Sequence, residues 1–169
     1  RHAVNLFNRL SVVVVGSGSI GRRHMKNLRE MGVQQVAAID PDPERLKPGI
    51  DEIGVRGYAD LGSALATKPD AVLICTPPAL HVEQAIAAIN SGAHVFVEKP
   101  LCLTREELAE IDETLRKSRG SVMVGFNRRF APATVELKRQ LVTVPGPKSL
   151  TYRVLPGKLD PHHWYANYN

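Results

Sequence analysis

Short runs of β-branched residues alternate with segments of helical period along most of the chain. Ser11–Val15 is a valine run that reads as a strand apolar on both faces. Ser19–Met31 follows as a helix, with Ile20, Leu28 and Met31 placed on one face and Gly32 as its stop. Gln35–Ile39 is the second strand, and Pro43–Lys47 reads as one helical turn ended by Pro48-Gly49, because proline inside a helix breaks the hydrogen-bond ladder. Val55–Tyr58 is a weak third strand, and Asp60 caps a short helix through Ala66. Ala71–Cys75 is a strong fourth strand. The helix Ala79–Ser91 presents Val82, Ala85, Ile86 and Ile89, with Gly92 as stop. His94–Val97 is the fifth strand. Thr104-Arg105-Glu106-Glu107 is a capping box before Leu108, Ile111 and Leu115 at helical spacing. Ser121–Gly125 is the sixth strand, Pro132–Leu141 a helix with proline in its first turn, and Ser149–Leu155 a last strand candidate.

Strands apolar on both faces and separated by helices predict a parallel sheet covered on both sides, an α/β doubly wound fold. Six such units by residue 125 match a dinucleotide-binding sheet of the Rossmann kind. With 169 residues and 43% hydrophobic positions, the chain has material for one ordinary core. Arg1 rather than Met opens it, which reads as a fragment or a processed product. No apolar run approaches the ~20 residues that span a bilayer, so no membrane role is expected. Cys75 and Cys102 lack metal-type spacing, and unpaired cysteines point to a cytoplasmic protein.

The net charge of +5 divides unevenly, with basic stretches at residues 1–30 and 121–169 and an acidic one between them. A nucleic-acid binder would carry one basic stripe with interleaved aromatics. Aromatics here are only 5%, so no nucleic-acid partner is expected.

The chemistry begins directly after the first strand, at Gly16-Ser17-Gly18-Ser19-Ile20-Gly21. This is G-x-G-x-x-G between a strand and a helix. Gly16 permits the tight turn, Gly18 lets the backbone approach a pyrophosphate, and Gly21 lets helix and strand pack closely. Ser19 and Ile20 open the helix whose free N–H groups would hold the anion. Arg22 and Arg23 in its first turn either face that anion or are solvated. Asp40 ends the second strand 19 residues after Gly21, close to the ~20 expected of an acid on the adenosine ribose. It favours NAD over NADP, since a 2′-phosphate would meet a carboxylate. Arg45 is near enough in sequence to keep NADP open, and Asp40 is also placed to cap the Pro41-Asp42-Pro43 turn.

Ligands of open parallel sheets bind at the carboxyl ends of the strands. After strands four, five and six stand Thr76-Pro77-Pro78-Ala79-Leu80-His81, Glu98-Lys99-Pro100 and Gly125-Phe126-Asn127-Arg128-Arg129-Phe130. Together with G-x-G-x-x-G-x-x-H from Gly16 to His24, these motifs resemble the Gfo/Idh/MocA family of glucose–fructose oxidoreductase and inositol dehydrogenase. The resemblance covers about residues 11–155.

The resemblance implies an NAD(P)-dependent oxidoreductase of a sugar, cyclitol or nucleotide-sugar, forming a homo-oligomer in its full-length form. It implies a Rossmann domain at 11–127 after a lead-in at 1–10, with 128–169 the beginning of a substrate domain left incomplete. Lys99 would be the catalytic lysine, touching the substrate hydroxyl and assisting proton transfer, with burial acting on its ammonium. The Lys99–Pro100 bond would be cis. Glu98 would hold the cofactor ribose or orient Lys99, and Thr76 and Pro77 would line the nicotinamide half. His81 would join them or be an ordinary helix-face histidine. Asn127 and Arg128 or Arg129 would face nicotinamide or substrate, and His24 would pack its helix on the sheet. Asp160, His162 and His163 suggest metal ligation only weakly, since adjacent histidines point differently, and no metal is expected. The rival reading is a dinucleotide-binding or regulatory module without catalysis.

Overall fold

The computed structural model describes residues 6–149 and 151. Six parallel strands, β1 (Ser11–Val15), β2 (Gln35–Ile39), β3 (Arg56–Tyr58), β4 (Ala71–Ile74), β5 (His94–Val97) and β6 (Val122–Val124), lie in the order β3-β2-β1-β4-β5-β6. The helices are α1 (Ser19–Glu30), α2 (Pro43–Ile53), α3 (Leu61–Leu65), α4 (His81–Asn90), α5 (Arg105–Arg116) and α6 (Pro132–Thr143). The expected doubly wound sheet is present, and the order reverses between β1 and β4. That gap is where such folds take their ligands.

Alternation along β1 explains the two layers. Val13 and Val15 point into one core with Val72, Ile74, Val95 and Val97, covered by α4 through Val82, Ala85 and Ile89 and by α5 through Ile111. Val12 and Val14 point into the other, with Met25 of α1, Val36, Ala38 and Val55. Strands buried on both sides need no polar face, which is why the valine run carries no alternation of its own.

Two expectations fail for physical reasons. The helix after β2 does not stop at Pro48; α2 runs from Pro43 to Ile53 with Pro48 inside it. The proline removes one ladder bond, but the ends are well fixed. Asp42 accepts from the Glu44 N–H at 3.0 Å, and Gly54 closes the helix in the left-handed conformation. Gly49 is buried where an added Cβ would lie 3.3 Å from both Met25 Sδ and Val55 Cγ2. Packing thus outweighs the local cost of Pro48-Gly49. On α1 the buried face is Gly21 and Met25, whereas Ile20 and Met31 are exposed. Ile20 stands at the open sheet edge, beside the glycine turn.

The chain divides into two compact units, the first ending at Asn127 and the second beginning at Arg128. The second contains α6. Most of the strand candidate Ser149–Leu155, and all of Asp160, His162 and His163, lie outside the described residues. No helix among the described residues is long and apolar enough to cross a membrane.

Candidate active site

The glycine turn is built so that three glycines do different work. Gly16 has φ +93, and its N–H donates to the Ile39 carbonyl at 2.8 Å. A Cβ at Gly21 would lie 1.8 Å from the Gly16 carbonyl oxygen, an impossible approach. Around a Cβ at Gly18 there is no atom within 4 Å. The turn is therefore closed toward the sheet and open at Gly18, with Gly18, Ser19 and Ile20 exposed. Helix α1 has no side-chain cap at Gly18 and no acid in its first turn. Its first N–H groups are left for an anion.

Asp40 is buried directly beside this turn. One oxygen accepts from the Ser17 N–H at 2.8 Å and the other from the Asp42 N–H at 3.0 Å. It caps the turn after β2, and it also ties β2 to the glycine loop. Acceptor capacity remains on the carboxylate for ribose hydroxyls. Arg45 is exposed, its Nε 3.3 Å from Asp42 Oδ2. Arg22 is half-buried and Arg23 exposed.

On the other side of β1, the ends of β4, β5 and β6 bring Thr76, Pro77, Glu98, Lys99 and Asn127 to the same edge. Thr76 donates its hydroxyl to Gln84 Oε1 of α4 at 2.6 Å, and Pro77 is exposed. The Lys99–Pro100 bond is cis. Lys99 itself is exposed, so the expected burial is absent: the residue stands at the open carboxyl edge, outside both packed layers. Asn127 is exposed, its N–H on the Gly125 carbonyl at 2.9 Å. Arg128 begins the second unit, and its carbonyl accepts from the Ala131 N–H at 3.1 Å.

His81 takes a different place from either expectation. It is buried, 1% exposed, with Nδ1 2.7 Å from the Pro100 carbonyl and Nε2 2.8 Å from the Thr76 carbonyl. As the first residue of α4 it reaches back beneath both loops. It joins the Thr76 loop to the Glu98-Lys99-Pro100 loop instead of presenting its ring nitrogens to a ligand.

Two groups matter more than the sequence suggested. His24 Nε2 is 2.9 Å from Glu98 Oε1, linking α1 to the end of β5. Cys75, behind Gly16, has its thiol pushed up to about 12, first by burial and then by the Glu98 charge. That thiol stays protonated at neutral pH and is no nucleophile. Among the described residues, no group of three or more His, Cys, Asp or Glu is placed to hold a metal ion.

The model of one protein family, described as an oxidoreductase family with an NAD-binding Rossmann fold, matches residues 10–126. The chain belongs to the Gfo/Idh/MocA oxidoreductase family. Among its relatives, scyllo-inositol 2-dehydrogenase (NAD(+)) of Bacillus subtilis is 35% identical over 132 residues, 76% of this chain and 39% of that protein. The 4-carboxy-2-hydroxymuconate-6-semialdehyde dehydrogenase of a Sphingobium species is 34% identical over 139 residues, 79% of this chain and 43% of that one. The WlbA dehydrogenase of Chromobacterium violaceum, solved with NADH and UDP-GlcNAcA, superposes with a TM-score of 0.74 at 30% identity, covering 80% of this chain and 40% of that one. The scyllo-inositol dehydrogenase of Lactobacillus casei, solved with NAD(H) and scyllo-inositol, gives 0.70 at 29%, covering 79% and 40%. This Gfo/Idh/MocA chain thus spans about two fifths of the length of these relatives.

Proposed function

We propose that this Gfo/Idh/MocA chain carries the cofactor half of an NAD-dependent dehydrogenase acting on a hydroxyl or ketone carbon of a sugar, cyclitol or nucleotide-sugar. The observation that carries the reading is the shared edge. The open glycine turn after β1, the buried Asp40 after β2 and the Glu98-Lys99-Pro100 loop after β5 all lie at the carboxyl ends of one parallel sheet.

The residues divide the work. Gly16, Gly18, Ser19, Ile20 and Gly21 hold the pyrophosphate, and Asp40 the adenosine ribose. Glu98, Thr76 and Pro77 border the nicotinamide half, with Asn127 toward nicotinamide or substrate. Bound there, the cofactor supplies hydride exchange with the substrate carbon. Lys99, exposed at the strand end, exchanges the proton of the substrate hydroxyl. Residues 128–169 begin the substrate domain in this reading, and the full-length form is a homo-oligomer.

Assay with NAD+ and a panel of inositols and nucleotide-sugars tests this. NADH formation with any member supports it; NADH binding without turnover across the panel favours the rival, a dinucleotide-holding module.

Cofactor choice gives a separate expectation. Asp40→Ala removes the acceptor of two backbone N–H groups and should cost about 1–3 kcal/mol of stability, read by thermal melting. It should also narrow the NADH over NADPH preference by about tenfold, because a carboxylate facing a 2′-phosphate is a like-charge contact of about 1 kcal/mol or more. An unchanged preference in paired titrations would remove Asp40 from cofactor choice.

A further inference from the structure

We propose that His24 is a positioning residue for the nicotinamide half of the site, holding the Glu98 carboxylate so that its second oxygen serves the cofactor; this rests on the dinucleotide reading above. The two residues are 74 positions apart and meet at 2.9 Å. A carboxylate only accepts, so His24 Nε2 carries the hydrogen and donates to Glu98 Oε1. Both side chains are largely buried, at 22% and 15% exposure, where a charge-assisted bond is stronger than on the surface.

The partners on either side leave this pair little freedom. The Phe96 ring meets the imidazole edge-on at 5.3 Å between centroids, which fixes the imidazole plane. Glu98 Oε2 lies against Gly125, where a Cβ would come within 3.3 Å of it and 3.0 Å of Phe96 Cζ. Glycine at the end of β6 is what gives the carboxylate its room. With Oε1 engaged by His24, Oε2 is directed by a bond, a ring and a backbone at once.

Topology says which half of the dinucleotide this serves. Asp40 ends β2 on one side of the central β1, and Glu98 ends β5, two strands away on the other side. A dinucleotide centred on the glycine turn has its adenosine toward Asp40 and its nicotinamide toward Glu98. His24 lies one turn into α1, the helix whose N-terminus faces the pyrophosphate. The bond therefore connects the phosphate helix to the residue adjoining Lys99.

The test is a comparison of NADH with ADP-ribose, which lacks the nicotinamide, by calorimetric titration of the whole chain. His24→Leu keeps bulk against Phe96 but has no donor. It should weaken NADH by at least about tenfold, the ratio carried by one hydrogen bond to a charged group, and leave ADP-ribose within about twofold. His24→Gln retains a donor at similar reach and should restore most of the NADH affinity. Loss of both ligands in equal proportion in a folded His24→Leu protein, or of neither, overturns the proposal and leaves His24 a packing residue. If His24→Leu does not fold, Gly125→Ala asks the same question by crowding Oε2: weaker NADH with unchanged ADP-ribose supports the proposal, and unchanged NADH overturns it. Wild-type chain that binds neither ligand overturns the dinucleotide reading itself, and this inference with it.

Discussion

Gly21→Ala is expected to cost the fold more than any other single methyl group added at the site. The new Cβ would stand 1.8 Å from the Gly16 carbonyl oxygen, and that oxygen belongs to backbone, so no side chain can swing away. Relief requires α1 to move off β1. Met25, fully buried, anchors the helix in the core with Val12 and Val14, so the movement disturbs packed contacts. A loss of roughly 3 kcal/mol or more follows from overpacking of this kind, about 10 °C in melting temperature for a chain of this size. NADH affinity should fall with it, since the first N–H groups of α1 shift from where the turn aims them. Thermal melting and a titration read both effects. Gly18→Ala is the control: its methyl meets nothing within 4 Å, so melting should barely change while NADH affinity falls. Equal melting temperatures for wild type and Gly21→Ala would contradict this account of the turn.

Lys99→Ala should lower kcat for whichever substrate the panel identifies by about 10²–10⁴, the range for loss of a general acid–base group, with NADH affinity unchanged. The residue is exposed and follows β5, so truncation should leave the melting temperature where it was. The split between kcat and cofactor affinity is the informative part. A parallel fall in both would make Lys99 a cofactor-holding cation, and an unaltered kcat would take the proton step away from it.

Much of the framework was legible because it is written in local patterns. Valine runs, helix stops at Gly32 and Gly92, the Thr104 capping box and the glycine turn each involve residues within a few positions of one another, and each appears where the sequence places it. Pro48 was misleading for the complementary reason. Its local penalty is real, but Asp42 and Gly54 at the helix ends and the close contact of Gly49 with Met25 outweigh it. No local rule contains that last contact, which joins two helices.

The site shows the same division. Asp40 was found from its spacing to Gly21, yet its bond to the Ser17 N–H spans 23 residues and emerges only from the register of β1 on β2. His24 and Glu98 each lay in recognisable motifs with separate roles, and only the pairing of β4 with β5 beside α1 brings them together. The family resemblance leaves His81 open between a ligand-facing residue and an ordinary helix-face histidine. Its two carbonyl partners lie on either side of it in sequence, Thr76 five residues before and Pro100 nineteen after, and only the fold brings the second to it.

In the proposed arrangement NADH lies along the carboxyl edge, from Asp40 across the glycine turn to Glu98. Backbone amide resonances followed while NADH is added measure this directly. Saturating shifts confined to residues 16–22, Asp40, Thr76, Glu98, Lys99, Asn127 and their immediate neighbours are the predicted result. Absence of saturating shifts, or shifts gathered at the opposite edge of the sheet in the hollow lined by Arg29, Gln34, Arg56 and Lys68, would contradict it.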